Sequence, residues 1–163
     1  MIISKKKLKK IVSGLKKKNK KIVFTNGCFD IIHPGHIHLL EKAKSFGDVL
    51  IVGLNSDSSV RAIKPKRPIN SFKARANVVD AIKYVDFVCG FSEKTPLNLI
   101  KIVKPDVLVK GGDWKAGEIV GSSFVLSYGG QVKRIALKKG FSTTQIIKKI
   151  KNEKRQNDME TRK

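Results

Sequence analysis

Two histidines that flank a proline and a glycine form the most chemically suggestive group in this sequence. His33, Pro34, Gly35 and His36 stand where an apolar run gives way to a helical pattern, and a proline is typical of a first helical turn. The first turn offers free N–H groups and a positive dipole end, which favour anions. Gly35 would let a phosphate approach the backbone, and the two imidazoles could donate hydrogen bonds to phosphate oxygens as charge builds in a transition state.

Two other interpretations of the histidine pair stay open on the residues alone. His33 and His36 could be ordinary capping or core histidines. A metal site would need to add His38 and Cys28, but the spacing matches no zinc pattern. We expect no metal site formed by a side-chain cluster.

Polar residues also follow the other apolar runs of the sequence, at the points where predicted strands end. Each such segment has a structural interpretation as a turn or a helix cap and a functional one as a ligand contact. Ser142 to Thr144 could be a simple N-cap or a second phosphate cradle at a helix start. The candidates after the strands are Thr25, Asn26, Gly27, Cys28, Phe29, Asp30, Asn55, Asp57, Lys110, Gly111, Gly112, Asp113, Ser142, Thr143 and Thr144.

Two further basic residues lie on predicted helices. Arg75 falls in the middle of one, where it would form a surface salt bridge or clamp a phosphate. Lys44, on the helix that follows the histidine pair, is a candidate phosphate contact. The sequence contains neither G-x-G-x-x-G nor G-x-x-x-x-G-K-[ST], which disfavours a dinucleotide-binding dehydrogenase and a P-loop NTPase.

Strands and helices alternate along the chain. Short apolar runs predict five strands, and helical periodicity or start signals predict the segments between them. This alternation indicates an α/β fold with a doubly wound, mainly parallel five-stranded sheet and helices on both faces. The carboxyl ends of parallel strands share one edge, so the polar loops should meet in one crevice. The predicted strands are 22–25, 49–54, 86–89, 107–109 and 132–135, and the predicted helices are 8–15, 34–46, 71–83, 96–103, 118–127 and 143–151; the stretch 61–68 is predicted to be a mobile loop.

Charge is concentrated at the two ends of the sequence. The 163 residues carry a formal net charge of +22, and residues 1–21 contain ten lysines and no acidic residue. Such runs are usually solvated faces or tails, although they can attract polyanions. We expect an N-terminal amphipathic basic helix at 1–20, one domain at 21–150 and a basic tail at 151–163. No motif indicates specific nucleic-acid binding.

Two cysteines far apart predict a reducing, cytoplasmic environment. The N-terminal segment lacks the apolar run of a signal peptide, and no stretch approaches the length of a membrane span. We therefore expect no membrane insertion.

The motifs together resemble a known superfamily. The segment from Phe24 to Asp30 that leads to His33–His36, followed by Gly140–Thr144, resembles the cytidylyltransferase-like nucleotidyltransferases. The resemblance is closer to the heptose 1-phosphate adenylyltransferases, and it covers about residues 21–150. The closer set of motifs is Val52–Asp57, Arg67–Asn70, Val107–Asp113 and Gly129–Gly130.

The resemblance implies a Rossmann-like fold and transfer of AMP from ATP to D-glycero-D-manno-heptose 1-phosphate, with Mg²⁺ held mainly by the ATP phosphates. ADP-heptose, a precursor of lipopolysaccharide and other surface glycans, and pyrophosphate would be the products. It also implies a homodimer, with a separate heptose kinase and phosphatase in the pathway. An alternative is cytidylyl transfer to glycerol 3-phosphate or a related polyol or sugar phosphate, and a second is a basic nucleic-acid-binding protein that uses the fold as a scaffold.

We expect His33 and His36 to bind the triphosphate, with His36 the main transition-state donor and Lys44 a further catalytic contact. Nucleotide contacts are expected from Thr25–Phe29, Gly35, Lys110–Gly111 and Ser142–Thr144. Sugar-phosphate contacts are expected from Asp30, Asn55, Asp57, Arg75, Gly112 and Asp113.

Overall fold

The fold is a parallel sheet covered by helices on both faces. A computed structural model describes residues 1–112, 118–136, 138 and 140–160, with the backbone alone for residues 151 and 154–160. Within these ranges the strands are β1 (Ile2–Ile3), β2 (Ile22–Gly27), β3 (Val49–Asn55), β4 (Phe87–Phe91), β5 (Val107–Gly111) and β6 (Gln131–Ile135). The helices are α1 (Lys5–Lys17), α2 (Pro34–Lys44), α3 (Asp57–Ile63), α4 (Phe72–Asp80), α5 (Leu97–Val103), α6 (Ser122–Leu126) and α7 (Thr143–Glu160).

Every pair of neighbouring strands runs parallel, in the order β1-β4-β3-β2-β5-β6. All seven residues of β3 are buried, because the strand lies inside the sheet with helices on both sides. The predicted α/β class and parallel sheet are confirmed. The number of strands differs, since β1 adds a short sixth strand beside β4.

Alternate side chains of the central strands enter two separate cores. On one face, Phe24 packs with Leu8 and Val12 of α1 and with Leu99 of α5. On the other face, Val23 packs with residues of α2 and α4. The predicted N-terminal helix is therefore part of the packed fold, because its apolar side covers the sheet.

Four other elements differ from the prediction. Residues 57–63 form α3, where the sequence predicts polar turns and the beginning of a loop; the Ser56 hydroxyl accepts the N–H of Ser59 and caps this helix. Helix α4 ends at Asp80 rather than Lys83, and α6 begins at Ser122 rather than Glu118. Helix α7 continues to Glu160, so residues 152–160 are helical rather than an irregular tail.

Candidate active site

A crevice of about 400 Å³ lies at the carboxyl edge of the sheet. Loops after β2, β3, β4 and β5 contribute to its walls, and α7 begins beside it. The lining residues are Asn26, Gly27, Cys28, Phe29, Asp30, His36, Asn55, Val60, Ile63, Lys64, Arg67, Lys94, Thr95, Pro96, Lys110, Val120 and Thr143. The predicted convergence of polar loops therefore occurs in the structure.

The two histidines lie against each other at the start of α2. Their rings are stacked, with centroids 3.8 Å apart, and the His36 ring also contacts Phe29 at 5.3 Å. Gly35 permits this arrangement, because a Cβ there would lie 3.0 Å from the His33 ring. His33 is the N-cap residue in an extended conformation but makes no capping hydrogen bond with its side chain. The imidazole pair is therefore not explained by helix capping.

The environment of His36 keeps its ring neutral near pH 7. Burial, the charge of His33 when protonated and the charge of Lys64 lower the pKa of His36 to about 4. Burial also lowers the pKa of His33 below its ordinary value. The Nδ1 atoms of both rings are buried and have no hydrogen-bond partner. Buried polar atoms are normally paired, so these two nitrogens are unsatisfied polar groups at the start of α2.

Positive charge surrounds the same crevice. Lys110 reaches it from the end of β5 and donates to the side-chain oxygen of Asn26 at 3.3 Å. Burial, together with the charge of Lys64, lowers the pKa of Lys110. Lys64, Arg67 and Lys94 line the crevice from other segments. A low-dielectric crevice with cationic walls favours a polyanionic ligand.

The turn after β2 has an unusual backbone. Phe29 adopts a φ of 44°, in the left-handed region that non-glycine residues rarely occupy. Gly27 lies close beneath its ring, since a Cβ at Gly27 would come within 3.0 Å of the Phe29 ring. The Thr25 hydroxyl is buried without a partner. This turn places Asn26 to Asp30 along one side of the crevice.

Asp30 supports a neighbouring segment rather than presenting a free carboxylate. Its oxygens accept hydrogen bonds from Arg67 and from the N–H groups of Ile69 and Asn70, each at 2.9 Å. Burial would raise the pKa of Asp30, but these hydrogen bonds lower it below its usual value. The predicted contact between Asp30 and the sugar phosphate would therefore have to compete with these bonds.

Arg75 is neither a surface ion-pair partner nor an available phosphate clamp. Its side chain is 1% exposed and donates to the backbone carbonyls of Asn70, Cys28 and Asn55 at 2.6–3.1 Å. The guanidinium also pairs with Asp57 at 2.8 Å. It therefore ties together three segments around the crevice, because a guanidinium carries five donors in a fixed geometry.

The predicted residues after β3 have separate positions. Asn55 lines the crevice, and its amide donates to the Ser59 hydroxyl at 2.9 Å. Asp57 begins α3 and faces Arg75. Burial would raise the pKa of Asp57, but the hydrogen bond and charge of Arg75 lower it.

At the start of α7, Thr143 lines the crevice, and its hydroxyl lies 3.5 Å from the carbonyl oxygen of Ile31. The Ser142 hydroxyl accepts the N–H of Gln145 at 3.1 Å, as a helix cap does. Thr144 follows on the same helix but is not among the lining residues. Of the loop after β5, Gly111 ends the strand, Gly112 has a φ of 113°, and Asp113 lies outside the described residues.

The prediction that Lys44 contacts phosphate is not supported by its position. Lys44 ends α2, and its ammonium donates to Asp86 at 2.5 Å and to the carbonyl of Asp48 at 2.6 Å. The helix therefore places Lys44 at the opposite end from His33, away from the crevice.

Three cationic residues and Thr95 were not singled out as site residues from the sequence. Lys64 and Arg67 belong to the stretch expected to be a mobile loop, and Lys94 and Thr95 follow β4. The sequence could have indicated that Lys94 and Thr95 lie in the site, because residues that follow β4 must lie at the same edge of the sheet as the other loops.

The described residues contain no group of three or more His, Cys, Asp and Glu side chains that could hold a metal ion. Asp30 and Asp57 are also engaged with arginines. Among the described residues, these side chains therefore do not fit a protein-held Mg²⁺.

Comparison with known proteins connects this site with a family. The family model described as cytidylyltransferase-like matches residues 24–149. This chain belongs to the cytidylyltransferase-like family. The match covers the sheet from β2 onward and every loop of the crevice, so the histidine pair stands in the matched region.

Relatives of this cytidylyltransferase-like chain are longer proteins. It is 55% identical over 145 residues to the bifunctional protein HldE of Campylobacter jejuni subsp. doylei, which covers 88% of this chain and 31% of that protein. It is 50% identical over 141 residues to the bifunctional protein HldE of Geobacter sulfurreducens, covering 86% of this chain and 29% of that protein. The chain thus spans about three tenths of the length of these relatives.

Two solved structures share the fold. A lipopolysaccharide core biosynthesis protein from Thermoplasma volcanium has a TM-score of 0.62 at 33% identity, covering 75% of this chain and 99% of that one. A pantoate-beta-alanine ligase from Francisella tularensis has a TM-score of 0.57 at 17% identity, covering 85% of this chain and 67% of that one. The second shows the fold alone. Within the described part of this cytidylyltransferase-like chain, no helix is both long and apolar enough to span a membrane.

Proposed function

We propose that this chain transfers AMP from ATP to D-glycero-D-manno-heptose 1-phosphate and releases pyrophosphate. The carrying observation is the stacked pair His33 and His36 at the start of α2, with unpartnered ring nitrogens beside a cationic crevice. The similarity to bifunctional HldE proteins and to a lipopolysaccharide core biosynthesis protein supports a heptose-containing product.

In the proposed reaction, a phosphate oxygen of the sugar phosphate attacks the α-phosphorus of ATP. A new P–O bond forms there while the bond from the α-phosphorus to the bridging oxygen breaks and pyrophosphate leaves. Such a displacement needs positioning and charge stabilisation more than covalent help from the protein. The role of the crevice is therefore to align the sugar phosphate with the α-phosphate of ATP and to stabilise the negative charge that develops in the transition state.

The residues that line or adjoin the crevice have the following roles in this proposal. His36 donates its one N–H to the reacting phosphates as charge develops, and His33 supports the triphosphate beside it. The ammonium of Lys110 and the hydroxyl of Thr143 face the crevice as further phosphate contacts. The turn from Thr25 to Phe29 frames the nucleotide, and Asn55 stands near the sugar phosphate.

Three finer points belong to the same proposal. Mg²⁺ would enter with the ATP phosphates and supply charge neutralisation. We also propose that the chain is cytoplasmic and forms a homodimer; equilibrium sedimentation of the chain would measure the oligomeric state directly.

The test is a panel of the four nucleoside triphosphates with Mg²⁺ and several acceptor phosphates, followed by release of pyrophosphate. We expect release with ATP and heptose 1-phosphate together and with neither alone. Release with CTP and glycerol 3-phosphate would favour the alternative reaction. No release with any pair would contradict nucleotidyl transfer.

A further inference from the structure

A lysine-lined groove lies at the opposite edge of the sheet from the crevice. One part of it has a volume of about 430 Å³ and is lined by Lys16, Asn19, Lys20, Lys21, Lys104, Asp106 and Tyr128. These residues precede the starts of β2, β5 and β6, which the strand register places side by side. A six-residue strand is about 20 Å long, so the groove and the crevice are separate sites.

The groove continues along α1. A second cavity of about 660 Å³ is lined by Lys9, Val12, Ser13, Lys16, Lys17, Lys101 and Ile102. Lys16 lines both cavities, so they adjoin at this residue, between α1 and α5. We call the residues of the two cavities together the basic groove.

Charge in the basic groove is almost entirely positive. Its lining contains seven lysines and one acidic residue, Asp106, whose carboxylate already accepts the N–H of Ile22 at 2.7 Å. Burial and the nearby charge of Lys104 lower the pKa of Lys16. The fold thus holds like charges together at a cost that a bound anion would offset.

The chemistry of the basic groove suits phosphate groups and little else. The apolar side of α1 is buried in the core through Leu8 and Val12, so this face lacks the broad apolar surface that an interfacial helix inserts into a bilayer. Tyr128 donates its hydroxyl hydrogen to the carbonyl of Pro105, and the Lys104 ammonium lies 4.9 Å from the centre of its ring. That ring is therefore poorly placed to stack on a base, and stacking is the usual partner of backbone charge in single-strand binding.

We propose that the basic groove binds a linear inorganic polyphosphate chain. Such a chain is narrow, carries about one negative charge for each phosphate and has no bases or lipid tails that need their own contacts. The two adjoining cavities and the lysines that line them along α1 match a ligand that repeats its charge along its length. The proposal does not depend on the reaction in the crevice.

The test compares two triple variants of the full chain. Isothermal titration calorimetry measures how tightly each variant binds polyphosphate of uniform length. The groove variant carries Lys16→Ala, Lys101→Ala and Lys104→Ala. The matched control carries Lys42→Ala, Lys73→Ala and Lys133→Ala, which removes the same charge at exposed positions outside the groove. Thermal unfolding of both variants checks that each is folded.

We expect the native chain to bind polyphosphate, the groove variant to bind at least about tenfold more weakly, and the control to stay within about twofold of native. Equal losses in the two variants, or no loss in the groove variant, would overturn the proposal. An oligouridylate with the same number of phosphates should bind more weakly than polyphosphate, and equal or tighter binding would assign the groove to single-stranded nucleic acid instead.

Discussion

The His36 side chain combines burial, stacking on His33 and a position at a helix start. A neutral imidazole in this place can still donate one hydrogen bond, and the low dielectric strengthens that bond. These properties make His36 the residue on which the proposed transition-state stabilisation depends most.

Replacing His36 by alanine tests this role. We expect His36→Ala to lower turnover by about 10²–10³-fold, because removing one transition-state donor typically costs that much. Steady-state release of pyrophosphate provides the measurement, and circular dichroism checks the fold. His38→Ala is the matched control, since His38 lies on the same helix but does not line the crevice; near-native turnover of His36→Ala would refute the assignment.

The lowered pKa of His36 also predicts how stability depends on pH. The unfolded chain binds a proton at this histidine below about pH 6.5, whereas the folded chain does so only near pH 4. Stability should therefore fall as the pH drops from 6.5 towards 4. Between pH 7 and pH 5 we expect the native chain to lose about 1–2 kcal/mol more than His36→Gln does, measured by urea unfolding. Equal losses in both proteins would show that His36 is not held neutral by the fold.

At the scale of elements, Arg75 connects α4 with the turn after β2 and the end of β3. Its donors satisfy three backbone carbonyls and Asp57 inside the protein. Leaving such groups unpaired is costly, since each buried acceptor has already lost its water.

Arg75→Met should therefore destabilise the fold by about 1–3 kcal/mol, because it leaves the buried carbonyl oxygen of Asn55 without its donor. Arg61→Met is the matched control, because Arg61 is exposed on α3, and we expect a change within about 0.5 kcal/mol. Urea unfolding at pH 7 measures both. If the two variants lost similar stability, Arg75 would not connect these elements in the way described.

The sequence predicted the central elements because their signals are local. The uniformly apolar run of β3 and the proline that begins α2 each carry their own structural preference. The two-residue strand β1 could not be predicted, since it depends on its pairing with Val88 and Cys89 far along the chain. The roles of Arg75 and Lys44 could not be predicted for the same reason. Arg75 contacts Asp57 and Cys28, which are 18 and 47 residues away in the sequence, and Lys44 contacts Asp86, which is 42 residues away.

At the scale of the whole molecule, much of the positive charge on the described residues is concentrated in particular places. Some of it faces the crevice, some lines the basic groove, and other lysines are spread over the exposed surface. The N-terminal lysines are the outer face of a helix packed on the sheet, which gives that segment a structural role that composition alone did not suggest.

Two truncations test the roles of the beginning and the end of α7 separately. Removing residues 154–163 should leave turnover within about twofold of native, because these residues follow the helix start by more than two turns. Removing residues 141–163 should abolish turnover, because Thr143 at the crevice would be lost with them. Pyrophosphate release by both proteins is the measurement, and a large loss in the shorter truncation would reveal a function for the tail.

The central claim is that one crevice joins AMP to a heptose 1-phosphate. Mass spectrometry of the reaction of the native chain with ATP, Mg²⁺ and D-glycero-β-D-manno-heptose 1-phosphate tests it most directly. We predict ADP-heptose and pyrophosphate in equal amounts, with neither formed when the sugar phosphate is left out. Consumption of ATP without ADP-heptose, or no consumption at all, would contradict the account.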